Sequence, residues 1–251
     1  MKELTCEMCG SRDIAEDDES YVCRACGARF SIENAEHAAS HEMVEVGETV
    51  RIGGSDEIDN LYELAEMARD VGIYEHAVAY YNEILVKSPR SWRAQFYVVY
   101  LEVKGCGVDE IIKATANMVN IIPYVFDLIS NDVDCAQHEE ILAELTDRGL
   151  SLSREMYDAA QEFFEHQPSL FDAAYSPKHY SRITNIMDML FIYGDMVIFK
   201  FGEEYSKFAV EVWKQAIFFF EDDKTAENYK SRDGTPEMYR NKISMYDASC
   251  E

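Results

Sequence analysis

Four cysteines near the start of the chain are spaced to hold a metal. Cys6 and Cys9, then Cys23 and Cys26, form two C-x2-C pairs with thirteen residues between them, in "CEMCGSRDIAEDDESYVCRACGARF". A C-x2-C knuckle presents two thiolates from one tight turn, and two knuckles complete the tetrahedral four-ligand shell that zinc favours. Gly10 and Gly27, directly behind Cys9 and Cys26, let each knuckle turn without steric cost. The spacing predicts one structural Zn2+ per chain, held by Cys6, Cys9, Cys23 and Cys26. Four thiolates close the shell and leave no position for water, so the metal is scaffolding rather than a catalyst. Two other uses of these residues fit less well. Pairing Cys23 and Cys26 with His37 and His41 leaves a short gap of ten and strands Cys6 and Cys9. An iron–sulfur cluster also takes four cysteines, but symmetric pairs backed by glycine suit zinc better.

The same stretch is poorly built to touch nucleic acid. Residues 1–40 hold four basic groups (Lys2, Arg12, Arg24, Arg29) against nine acidic ones. The insert "EDDES" between the knuckles would meet a phosphate with like charge.

Elsewhere, residues that could do chemistry are scattered. The sequence has no Walker A loop, no G-x-G-x-x-G, no G-x-S-x-G, no HExxH and no EF-hand loop. None of the six histidines follows a glutamate by three residues, as a di-iron bundle requires. Asp188 and Asp195 lie seven apart on one helical face within an apolar stretch, and are expected on the solvent side of an amphipathic helix. His166 and His179 flank a loop containing Pro168 and Pro177, and read as surface or capping residues. An enzyme would need Asp188, Asp195 or His166 to converge on a pocket.

Three zones must position these residues. Residues 1–30 form a small cysteine-paired β unit. Residues 31–56 are a connector in which Val44, Val46, Val50 and Ile52 alternate with polar residues, suiting a short strand or hairpin. Residues 57–251 read as an all-α domain. Leu61, Leu64, Ala65, Ala68 and Val71 recur at helical spacing; Gly72 breaks the run, and Tyr74, Ala77, Val78, Tyr81, Ile84 and Leu85 make a second face. Pro89 closes this hairpin, which occupies 58–90. A third helix starts near Ser91 with Trp92, Phe96, Val99, Tyr100 and Val103 inward, ending at "KGCG". Further helices are expected near 108–130, 136–147, 153–166, 178–200, 203–222 and 235–246.

The hairpin "LYELAEMARDVGIYEHAVAYYNEILVKSP" (61–89) resembles a tetratricopeptide repeat: Ala65 and Ala77 are the small packing residues, Gly72 the turn, Tyr74 and Tyr81 the aromatic positions, and Pro89 the terminator. Residues 92–125 do not repeat the pattern, so a compact helical domain is expected rather than an open superhelix. Over nearly its full length the chain resembles an uncharacterised bacterial family in which a transcription factor IIB-type zinc ribbon precedes a tetratricopeptide-like helical domain. By the likeness to a tetratricopeptide repeat, Tyr62, Glu66, Arg69 and Asp70, on the first repeat helix, would face a peptide ligand.

Bulk properties narrow the function. The 251 residues carry 48 acidic against 23 basic side chains, a net charge of −25, which repels phosphate backbones and disfavours nucleic acid. No signal peptide is visible at "MKELTCEMCG", and "IMDMLFIYGDMVIFKFG" is interrupted by Asp188, Asp195 and Lys200, against a membrane span. Cys106, Cys135 and Cys250 are scattered, as reduced thiols are, so a cytoplasmic protein is expected. The function expected is a non-catalytic intracellular protein–protein interaction module with a structural zinc site, taking a protein or peptide partner (a basic one would suit the acidic surface) or a second copy of itself. The alternatives are a transcription-associated protein contacting nucleic acid through the ribbon, and an enzyme with a pocket in the helical domain; aromatic runs such as "AIFFFED" (216–222) could line a groove but are expected to pack the core.

Overall fold

The computed structural model describes residues 14–17, 20–24, 29–31, 54–166, 176–223 and 235–247. The chain divides into two compact units, Met1–Arg51 and Ile52–Glu251. In the first, β1 (Ile14–Asp17), β2 (Ser20–Cys23) and β3 (Arg29–Ser31) form an antiparallel sheet in the order β1-β2-β3. Asp17 pairs with Ser20 and Ile14 with Cys23, while Tyr21 pairs with Phe30 on the other edge of β2. Cys23 therefore ends the central strand. Cys6, Cys9 and Cys26 lie outside the described residues, as does nearly all of the predicted connector; its last residues, from Gly54, already belong to the first helix.

The second unit is all α. Its helices are α1 (Gly54–Asp70), α2 (Tyr74–Lys87), α3 (Trp92–Val103), α4 (Ile111–Asp132), α5 (Cys135–Glu165), α6 (Ser176–Phe201), α7 (Ser206–Asp222) and α8 (Thr235–Tyr246). Helices α1 to α4 pack each against the next, as successive hairpins do. Helix α4 then packs on α6, which also meets α5 and α7, and α8 covers α7. The α1–α2 turn needs a left-handed residue, and Gly72 supplies it at φ +80°. The α3–α4 turn is made the same way, by Gly105 at φ +74°. Residues 92–125 thus do contain a turn glycine, although the rest of the repeat pattern is missing.

Leu61, Ala65, Ala77, Tyr81 and Ile84 are buried where α1 meets α2. The two alanines are fully covered, consistent with close approach of the helices. Leu64 and Val71 depart from the expected face, being 40% and 70% exposed. At about 100° per residue Leu64 lies roughly 60° around α1 from Leu61, and Val71 falls in the turn after α1 ends at Asp70.

Two helices expected at 136–147 and 153–166 are one helix of 31 residues, α5. Gly149 and Ser153 do not break it, because Leu145, Gly149, Leu152 and Met156 make one continuous buried face. The Ser153 hydroxyl donates back to the Leu150 carbonyl at 2.8 Å, which satisfies it within the helix. Asp134 caps the start by accepting from the Ala136 N–H at 2.9 Å. Among the described residues, no helix is long and apolar enough to cross a membrane.

Ion pairs tie distant helices together. Lys178 and Arg182 at the start of α6 both donate to Asp109 at 2.8 Å, and Lys200 near its end donates to Asp127 of α4 at 2.7 Å. Hydrogen bonding and charge from Lys178 hold the Asp109 carboxyl below the usual carboxylate range, and Lys200 does the same for Asp127. A carboxyl with a lower pKa folded than unfolded stabilises fully above its unfolded value, and loses that contribution as pH falls through the folded one. The melting temperature should therefore fall most steeply below about pH 4, and Asp109→Asn should flatten that slope. A profile equally steep in the variant would exclude Asp109 as a contributor.

Candidate functional site

On α1, Tyr62, Glu66 and Arg69 recur at four- and three-residue spacing and form one stripe. Facing them, α3 presents Ser91, Arg93 and Tyr97. Tyr62 and Ser91 share a hydrogen bond between their hydroxyls. Arg93 pairs with Glu66 at 2.7 Å, and its guanidinium lies over the Tyr62 ring, 5.3 Å from the centroid. One turn further on, the Arg69 guanidinium lies over the Tyr97 ring at 5.0 Å while its Nε donates to Asp70 at 2.8 Å. These contacts lock α1 to α3 through alternating cations and aromatic faces.

Beneath the stripe sits Tyr81 of α2, fully buried, stacked on Tyr97 at 5.2 Å and 9° and edge-on to Tyr62 at 6.2 Å. Burial pushes its hydroxyl up to about 12, against the pull of Arg69 and Arg93. Helix α5 completes the site. Tyr97 donates its hydroxyl to Glu144, and burial together with that bond raises the Tyr97 pKa. Arg148, one turn beyond Glu144, lies within electrostatic reach of Tyr97, Tyr100 and Arg69. Burial opposes the charge on Arg69, but the bond to Asp70 and the neighbouring Tyr97 outweigh it and keep the group firmly cationic.

Three buried polar atoms here have no hydrogen-bond partner among the described residues: Arg69 Nη1, Tyr81 OH and Arg148 Nε. Buried donors are nearly always satisfied, and an orphan costs about 1–3 kcal/mol. All three can donate, and two belong to guanidiniums, which have no acceptor capacity. The seam between α1, α3 and α5 is therefore short of acceptor oxygens.

Of the predicted contact residues, Tyr62, Glu66 and Arg69 share this seam as half-buried groups tied to α3, and Asp70 lies exposed at its end. Tyr97, Glu144 and Arg148 were not singled out from the sequence. Arg148 lies on a different helix, 79 positions beyond Arg69, and no local pattern links them.

The residues an enzyme would need are arranged differently. Asp188 is exposed, whereas Asp195 is half-buried, paired with Lys242 at 2.8 Å and accepting from Tyr239 at 2.8 Å. His166 is exposed at the end of α5, its ring bonded to the Glu162 carbonyl at 2.9 Å. The Asp188 and Asp195 carboxylates do not form a shared buried site. His179 is buried with its Nε2 3.5 Å from Asp223, rather than at the surface as expected. Among the described residues, no group of three or more His, Cys, Asp or Glu is placed to hold a metal ion. No family model, no curated protein and no solved structure matches the chain.

Proposed function

We propose that the chain is a non-catalytic protein–protein interaction module, whose helical unit holds a segment of its partner at the α1–α3–α5 seam. The stripe at the surface of α1 carries this reading, because half-buried Glu66 and exposed Asp70 offer carboxylate acceptors beside the Tyr62 ring to the donors of a docked segment. The rest of the seam is already fixed by internal pairs, so binding would order few side chains and cost little conformational entropy. In this reading the N-terminal unit is a zinc ribbon. Cys6, Cys9, Cys23 and Cys26 would hold the ion as four thiolates, a soft donor set suited to structural zinc, and the metal would supply folding energy that so small a unit cannot draw from a core.

Affinity capture from native cells with the full chain tests the seam. A protein retained by the wild type should be retained about tenfold less well by Glu66→Gln with Asp70→Asn, since losing charged acceptors to a partner's donors costs roughly 1.5–3 kcal/mol. Asp188→Asn, exposed on α6, should leave capture unchanged. Equal capture by the seam variant, with its far-UV circular dichroism intact, would refute this binding face.

A further inference from the structure

A second surface, independent of the seam, lies between α5 and α7. Arg154, Tyr157 and Asp158 share one face of α5 by their three- and four-residue spacing, and Gln215, Phe218, Phe219 and Asp222 share one face of α7. Together these seven residues line an open groove of about 380 Å³. Its floor is the stack of Tyr157 on Phe219, with ring centroids 4.2 Å apart and planes 13° from parallel. The Arg154 Nε donates to Gln215 at 3.1 Å and closes one end. Towards the other end the Tyr157 hydroxyl donates to Asp222 at 2.8 Å, and Gln161 donates to that hydroxyl at 2.8 Å.

What the groove displays is an aromatic ring beside two carboxylates. Phe218 is 54% exposed, and Asp158 and Asp222 are exposed with it. Neither carboxylate is in an ion pair with a cationic side chain among the described residues, and Arg154, one turn before Asp158 on α5, is bound to Gln215. A cation laid on the phenyl face would meet the negative side of the ring and two carboxylate acceptors at once. A guanidinium suits this better than an ammonium, since its plane stacks on the ring while its N–H fork reaches the carboxylates. The charge of −25 adds a long-range field that attracts cations and repels a second copy of the same chain.

We propose that the α5–α7 groove binds an arginine side chain of a basic peptide segment on a partner protein. The test is fluorescence anisotropy of a labelled peptide of alternating glycine and arginine, titrated with the full-length protein at about 50 mM salt, where screening leaves surface charge effective. Asp158→Asn with Asp222→Asn should weaken binding about tenfold, and Phe218→Ala about two- to fivefold. The matched peptide with lysine in place of arginine should bind more weakly. Glu75→Gln with Glu83→Gln, exposed on α2, removes the same charge elsewhere and should weaken binding less than about twofold. Phe218 is half-exposed, so its removal should leave the melting temperature nearly unchanged and the affinity readout interpretable. Equal weakening by the two charge pairs would overturn the proposal in favour of a diffuse field. An unchanged affinity in Phe218→Ala would overturn it too, as would sedimentation showing that the peptide displaces a second copy of the chain.

Discussion

Gly194→Ala should lower the stability of the helical unit by about 3 kcal/mol, at the upper end of what overpacking costs. A Cβ built at Gly194 would lie 2.3 Å from Trp213 Nε1 and 2.8 Å from Cδ1 and Cε2, distances no real contact tolerates. Neither side can yield cheaply. Gly194 sits inside α6, while Trp213 is 1% exposed and its Nε1 donates to the Phe191 carbonyl of α6 at 3.3 Å. Around the indole stand Tyr239 and Tyr246 of α8 and the Lys242 ammonium, 5.5 Å from the ring centroid. A displaced indole would strain the α6–α7 contact and loosen α8 with it. For a unit of this size the loss corresponds to roughly 6–12 °C in melting temperature, readable by calorimetry. Gly149→Ala is the matched control: its Cβ would meet nothing within 4 Å in the middle of α5, so relief of glycine's entropy cost should raise stability by about 1 kcal/mol. If both substitutions shift the melting temperature equally, the close approach of α6 and α7 at Gly194 is wrong.

Cys9→Ser, or removal of metal by a chelator, should unfold the N-terminal unit and leave the helices standing. Structural zinc contributes on the order of 10–16 kcal/mol of binding free energy to units of this kind, far more than their small cores supply. Loss of one thiolate breaks the tetrahedral shell rather than weakening it by a fraction. The helical unit has its own core, running from Leu61 to Tyr239, and is a separate compact unit of the chain. Far-UV circular dichroism should therefore keep its helical signal and its main melting transition, while the bound metal falls from one zinc per chain to none. Less than about one zinc per wild-type chain after gentle purification would remove the premise of four thiolate ligands. A helical transition that collapses together with the metal would show instead that the two units depend on each other.

Much of the helical unit was legible because its signals are local. The turn at Gly72 and the buried alanines at 65 and 77 follow from three- and four-residue spacing together with glycine's access to positive φ. The last helix, Thr235–Tyr246, matches its expected bounds. Local signals failed where a neighbour decided the outcome. Helices expected at 136–147 and 153–166 are one, because packing against α6 and α7 rewards an unbroken face along α5. Leu64 and Val71 have the spacing of core residues, yet Leu64 is 40% exposed and Val71, 70% exposed, lies in the turn after α1. His179 looked like a surface residue and is buried, because Phe164 of α5 and Asp223, just after α7, close over it.

By itself the sequence determined the all-α character beyond the connector and the pair of helices joined at Gly72. These rest on the order of residues within a turn or two, which any chain of this sequence carries in every conformation. Only the tertiary structure decided which groups meet. Arg69 and Arg148 share the surroundings of Tyr97, Phe218 stands half-exposed beside Asp158 and Asp222, and Gly194 lets the Trp213 indole lie against α6. The physical reason is that hydrogen bonds, ring contacts and ion pairs act over a few ångströms, while the residues making them lie tens of positions apart. Side chains so separated become neighbours only once burial of the helical faces has fixed how the helices cross.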